Sequence, residues 1–143
     1  MKHLITAAAL ALTPIAAWAE GQLHKIAVHV NQNDPHTLNM ALNNVQNLYK
    51  YYESQGDTAQ IEIVAYGPGL QMLIDGASPV GERVSTMALQ HDSLTFSACG
   101  NTIAKMSQKA GKDITLLDEA QVVPSGVVRL VELQDQGFAY IRP

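Results

Sequence analysis

The chain has 143 residues, a formal net charge of −4 and no sustained run of one charge sign. This length suits a single domain, and a mildly acidic chain with 47% hydrophobic residues excludes both a disordered polymer and a nucleic-acid-binding surface. Its one cysteine excludes an internal disulfide framework.

Met1-Lys2-His3 is a short basic start, Leu4 to Ala17 is uncharged and mostly apolar, and Ala17-Trp18-Ala19 reads as a cleavage site before Glu20. Residues 1–19 are therefore expected to be a Sec-type signal peptide. The mature domain is then 20–143, periplasmic or secreted. The uncharged run is shorter than the ~20 apolar residues a spanning helix needs, so no membrane association is expected after cleavage. No cysteine follows the cleavage site to carry a lipid anchor.

Lys25-Ile26-Ala27-Val28-His29-Val30 is a strand, apolar at nearly every position, with His29 expected as a satisfied core histidine. Asp34 suits the N-cap and Pro35 the first position of a helix whose apolar face runs from Leu38 to Tyr52 and which Gly56 ends. Gln60 to Tyr66 is the second strand. It enters Gly67-Pro68-Gly69, whose glycines allow positive φ or close backbone approach by a ligand, although no nucleotide fingerprint is completed.

Leu70 to Ile74 predicts a short helix. Ser78 as N-cap and Pro79 at the first position predict another, with Val80, Val84, Met87, Ala88 and His91 as its stripe. Leu94 to Ala98 alternates into Cys99, and Gly100-Asn101 opens a helix carrying Ile103, Met106 and Ala110 that closes at Gly111. Val122-Val123 is a short strand leading through Pro124 and a capping Ser125 to a helix expected to be buried at its start by Val127, Val128, Leu130 and Val131. Phe138 to Ile141 is the fifth strand.

Short apolar strands alternating with helices define an α/β protein: a single three-layer α/β/α domain on a five-stranded, mainly parallel sheet. In such sheets ligands bind at the carboxyl ends of the strands. That rim is expected to collect Asn31, Asn33 and Asp34, then Tyr66, Gly67 and Gly69, then Cys99, Gly100 and Asn101, then Ser125 and Arg129. Asp34 and Ser125 fit capping fully.

A leftover cysteine in an oxidising compartment forms an intermolecular bridge, is inert by burial, or is reactive. Cys99 at a strand tip before a helix suits the reactive case, a rim-exposed, low-pKa thiol that carries sulfur or senses oxidants, because positive helix ends favour a thiolate. One helix end contributes only ~0.3–1 kcal/mol, under one pKa unit, so further donors are needed. Gly100, Asn101 and Thr102 are candidates, with Arg129 as the nearest cation. No His/Cys spacing matches a metal site, no cofactor is implied, and the serines lack an evident histidine partner for hydrolysis.

The order of elements resembles the DsrE/DsrF-like superfamily, in its exported branch. So do the stretches His29-Val30-Asn31-Gln32-Asn33-Asp34-Pro35, Val64-Ala65-Tyr66-Gly67-Pro68-Gly69, Phe96-Ser97-Ala98-Cys99-Gly100-Asn101-Thr102 and Val123-Pro124-Ser125-Gly126-Val127-Val128. This resemblance implies a DsrE-like domain that assembles into homo-oligomers, trimers or hexamers. It also implies sulfur relay as a cysteine persulfide between donor and acceptor proteins, with Cys99 at the position of the sulfur-carrying cysteine. The superfamily's sulfur-relay members are cytoplasmic, whereas this chain carries an export signal. The alternative expectation is a non-catalytic oligomeric module that binds a small anion or metal at the rim.

Overall fold

The computed structural model describes residues 21–143. The signal peptide expected over 1–19 lies outside them. Five parallel strands, β1 (Leu23–Val30), β2 (Thr58–Ala65), β3 (Leu94–Cys99), β4 (Ala120–Val123) and β5 (Ala139–Ile141), form one sheet in the order β4-β3-β2-β1-β5. Four α-helices connect them: α1 (Pro35–Ser54), α2 (Gly81–Gln90), α3 (Gly100–Ala110) and α4 (Gly126–Asp135). A 3-10 helix, Gly67–Leu73, precedes α2.

Crossovers between parallel strands are right-handed, so the direction of travel across the sheet decides which face each helix covers. From β1 to β4 the chain moves steadily toward one edge, and α1, the 3-10 helix, α2 and α3 all pack on one face. There Ile26, Val28, Ile61, Ile63, Phe96 and Ala98 meet Leu38, Leu42, Val45, Leu70, Leu73, Val84 and Met87, with Ile103 and Met106 at the margin. From β4 the chain reverses across the sheet to β5, which sends α4 to the opposite face. There Leu130 and Leu133 meet Ala27, Val64 and Phe138.

Asp34 caps α1 as the sequence predicts, its carboxylate accepting from the Thr37 amide at 2.9 Å. Helix α2 starts later than the Ser78-Pro79 pair suggests. The Ser78 hydroxyl donates to the Met72 carbonyl at 2.5 Å and accepts from the Val80 amide, so it closes the preceding turn, and Val80 takes the cap position. The start of α4 is not buried as expected: Val127, Val128 and Val131 are each more than half exposed, and only Gly126, Leu130 and Leu133 turn inward. A single ten-residue helix covers that face, so its outer side has no further layer to meet.

Candidate functional site

Because α3 leaves β3 toward one face and α4 leaves the neighbouring strand β4 toward the other, their first turns lie on either side of the carboxyl ends of β3 and β4. Open α/β sheets bind ligands at such a reversal. Cys99 closes β3, pairs in register with Val123 of β4 and shares the α4 face with Ser97. Its place at the strand tip is as the sequence indicates, but its exposure is not: the residue is only 5% exposed, because the first turn of α4 closes over it.

The sulfur is nevertheless surrounded by donors. Burial pushes the Cys99 thiol up. The Thr102 hydroxyl and the backbone N–H groups of Gly126, Thr102 and Asn101 together outweigh that and hold it below its ordinary value. No aligned capping hydrogen bond to Sγ is closed at the head of α3. A neutral thiol is a weak acceptor and a thiolate a strong one, so this loose nest favours the charged form.

Thr102 is placed for this by a second bond. Its Oγ1 accepts the Gly67 amide at 2.9 Å, which leaves its single hydroxyl proton for the sulfur. Gly67 itself has φ +55°, the left-handed region that glycine tolerates, so the turn aims its N–H at α3. The Asn101 amide also reaches the Pro124 carbonyl at 3.3 Å, tying the head of α3 to the turn before α4.

The glycines at the rim serve the chain's own packing. A Cβ on Gly69 would run into the backbone carbonyl of Val30, so the close approach expected there is to β1 and not to a ligand. A Cβ on Gly126 would lie 2.8 Å from Cδ1 of Tyr66, and one on Gly100 would lie 3.1 Å from the Val123 carbonyl oxygen. The Gly100 N–H is not among the donors that lower the Cys99 pKa. Ser125 occupies the N-cap of α4 but its hydroxyl makes no capping bond, contrary to expectation.

Arg129 is not the cation of the thiol. Its Nε and Nη2 donate at 2.7 Å to the two oxygens of Glu62, which is buried in the middle of β2 and also accepts the Ser97 hydroxyl at 2.6 Å. The bidentate pair pins α4 to β2. An acid inside the run Ile61-Glu62-Ile63-Val64 was the available signal, since a buried carboxylate needs a partner.

His29 is only half satisfied. Its Nδ1 lies 2.7 Å from the Tyr140 hydroxyl and its ring stacks on Tyr66, but Nε2 is buried without a partner. Burial, and then the nearby Arg142 charge, hold its pKa below the usual imidazole value. Asn31 likewise keeps a buried Oδ1 without a partner, and Asp34 is occupied by its cap.

A hollow of about 510 Å³ lies between α3 and the turn after β2, lined by Tyr66, Gly67, Pro68, Thr102, Lys105, Met106 and Lys109. A larger hollow of about 700 Å³, lined by Asp75, Ser78, Glu82 and Leu117 among others, shares no residue with it. Among the described residues no three His, Cys, Asp or Glu side chains are grouped to hold a metal ion, and no helix is long and apolar enough to cross a membrane.

Fold and site together define a three-layer α/β/α protein with a buried thiol at the point where its helices diverge. The chain belongs to the family of MTH1491, a protein of unknown function from Methanobacterium thermoautotrophicum. The two share 32% sequence identity and superimpose with a TM-score of 0.70, over 84% of this chain and 99% of that one. No family model and no curated protein matches the chain.

Proposed function

We propose that the protein is an exported, DsrE-like sulfur carrier in which Cys99 is the acceptor. What supports this is the place of Cys99 at the tip of β3 beside the starts of α3 and α4, where Thr102, Gly126 and Asn101 lower its pKa against burial. In the step assigned to Cys99, its thiolate attacks the outer sulfur of a persulfide, R–S–SH. The new bond is Cys99 Sγ–S, the bond broken is the donor's S–S, and the donor leaves as the thiolate R–S⁻. Cys99 is left as Sγ–SH, and no oxidant or reductant is consumed.

Low exposure suits this role in one respect, since a shielded persulfide is protected from the stray thiols and oxidants of an exported compartment. Intact mass spectrometry of the protein incubated with a persulfide donor is the test. The expected product is one sulfur atom heavier, and the gain is absent in Cys99→Ser. A wild type that gains no sulfur overturns the proposal.

The exposed Val127, Val128 and Val131 on α4, with Tyr140 on β5 44% exposed, support the homo-oligomer that the resemblance implies. Val128→Glu is expected to lower the mass in solution measured by light scattering. An unchanged mass, or a monomeric wild type, refutes the assignment of that face.

A further inference from the structure

We propose that the hollow between α3 and the Tyr66–Pro68 turn is the donor pocket of Cys99, and that the donor is an organic persulfide with an apolar body and a carboxylate. This rests on Cys99 being the sulfur acceptor. Thr102, Lys105, Met106 and Lys109 stand three, four and seven residues apart and so form one stripe of α3, facing the hollow. Thr102 is at once part of the wall and, three residues after Cys99 in the first turn of α3, the side chain whose hydroxyl lowers the pKa of the thiol.

The lining fits one chemical class. Tyr66, Pro68, Met106 and the methylene stems of the two lysines give apolar walls. Lys105 and Lys109 are one helical turn apart on the same face, and neither is ion-paired among the described residues. No carboxylate lines the hollow. At 1.5 Å rise per residue, Lys105 lies about 4.5 Å and Lys109 about 10.5 Å along the axis from Thr102. A molecule whose acid group lies on the lysines therefore directs its other end toward Thr102 at the head of α3.

The probe is 4-(mercaptomethyl)benzoate, the thiol left behind when such a donor has given up its sulfur, with benzyl mercaptan as its uncharged counterpart. Titrated into Cys99→Ser and followed by amide chemical shifts, the benzoate is expected to saturate with shifts centred on Thr102 to Lys109. It should bind roughly fivefold more tightly than benzyl mercaptan, a preference lost in Lys105→Gln/Lys109→Gln. In the wild type 4-methylbenzoate, which has no thiol to consume the reagent, is expected to slow alkylation of Cys99 by iodoacetamide. No saturable binding, equal binding of the two probes, or binding that leaves alkylation unslowed each overturns the donor pocket. Failure of Cys99 itself is read separately, from sulfur transfer and from alkylation without any probe.

Discussion

The role of Thr102 is sharp enough to test quantitatively. Thr102→Val keeps the shape of the side chain but removes both the donor to Cys99 Sγ and the acceptor of the Gly67 amide. A hydrogen bond to a charged group contributes about 1.5–3 kcal/mol, and the loose geometry here argues for the lower end. Losing it should push the Cys99 thiol up, and about 1.36 kcal/mol corresponds to a tenfold change in the ratio of thiolate to thiol. The thiolate fraction at a pH below both values then falls about tenfold. The assay is the rate of iodoacetamide alkylation against pH, whose inflection should move up in Thr102→Val and return in Thr102→Ser. Stability should fall by only about 1 kcal/mol, because Gly67 is half-buried and water can replace its acceptor. A variant that loses this stability while its inflection stays put would show that the hydroxyl serves only the Gly67 turn.

A thiol whose folded-state pKa is depressed adds stability as it ionises. The wild type should therefore gain resistance to urea as pH rises from its folded pKa to the ordinary thiol value near about 8.5, while Cys99→Ser stays flat. Parallel curves would remove the nest as a source of thiolate stabilisation. Glu62→Gln leaves the Arg129 guanidinium without its carboxylate and should cost about 2–4 kcal/mol by urea denaturation, a range reduced from the fully buried case because Arg129 is partly exposed. A loss below about 1 kcal/mol would mean that the pair does not anchor α4. Gly126→Ala places a methyl group against the Tyr66 ring and shifts an amide that faces the sulfur. It should raise the alkylation inflection with the fold intact by circular dichroism, and an unmoved inflection refutes the contribution of α4.

What the sequence makes legible is whatever neighbouring residues decide. Asp34-Pro35 announces the start of α1, the run into Cys99 announces a strand tip, and Gly111 at φ +67° ends α3 as expected. The missing parts depend on residues far apart in the chain. The Gly67 amide meets Thr102 across 35 residues, and Glu62 meets Arg129 across 67. Arg129 looks like a free cation until β2 supplies its partner. The valines of α4 read as buried because their periodicity cannot say that only one helix covers that face. Cys99 reads as exposed because the sequence gives its strand and its helix but not the second helix that closes over it.

That second helix also explains why one strand tip differs from the others. The ends of β1 and β2 are each followed by structure on the same face, and two of their rim residues are absorbed by caps and turns: Asp34 by Thr37, Gly67 by Thr102. At β3 and β4 the chain reverses, and two helix starts face one side chain from different directions. Each helix end is worth ~0.3–1 kcal/mol, and the burial of Cys99 opposes both. The Thr102 hydroxyl is the largest of the contributions that lower the thiol. An apolar residue at position 99 would leave that hydroxyl and the Gly126 and Thr102 amides around a site with nothing to accept them, while Asn101 keeps the Pro124 carbonyl. Cys99→Val is therefore expected to stabilise less than its added hydrophobicity would suggest, whereas in an apolar core pocket the same change would be neutral or favourable. If Cys99→Val raises the urea midpoint as fully as an ordinary buried cysteine-to-valine change, the donors are satisfied without the sulfur and the thiolate nest is not a site.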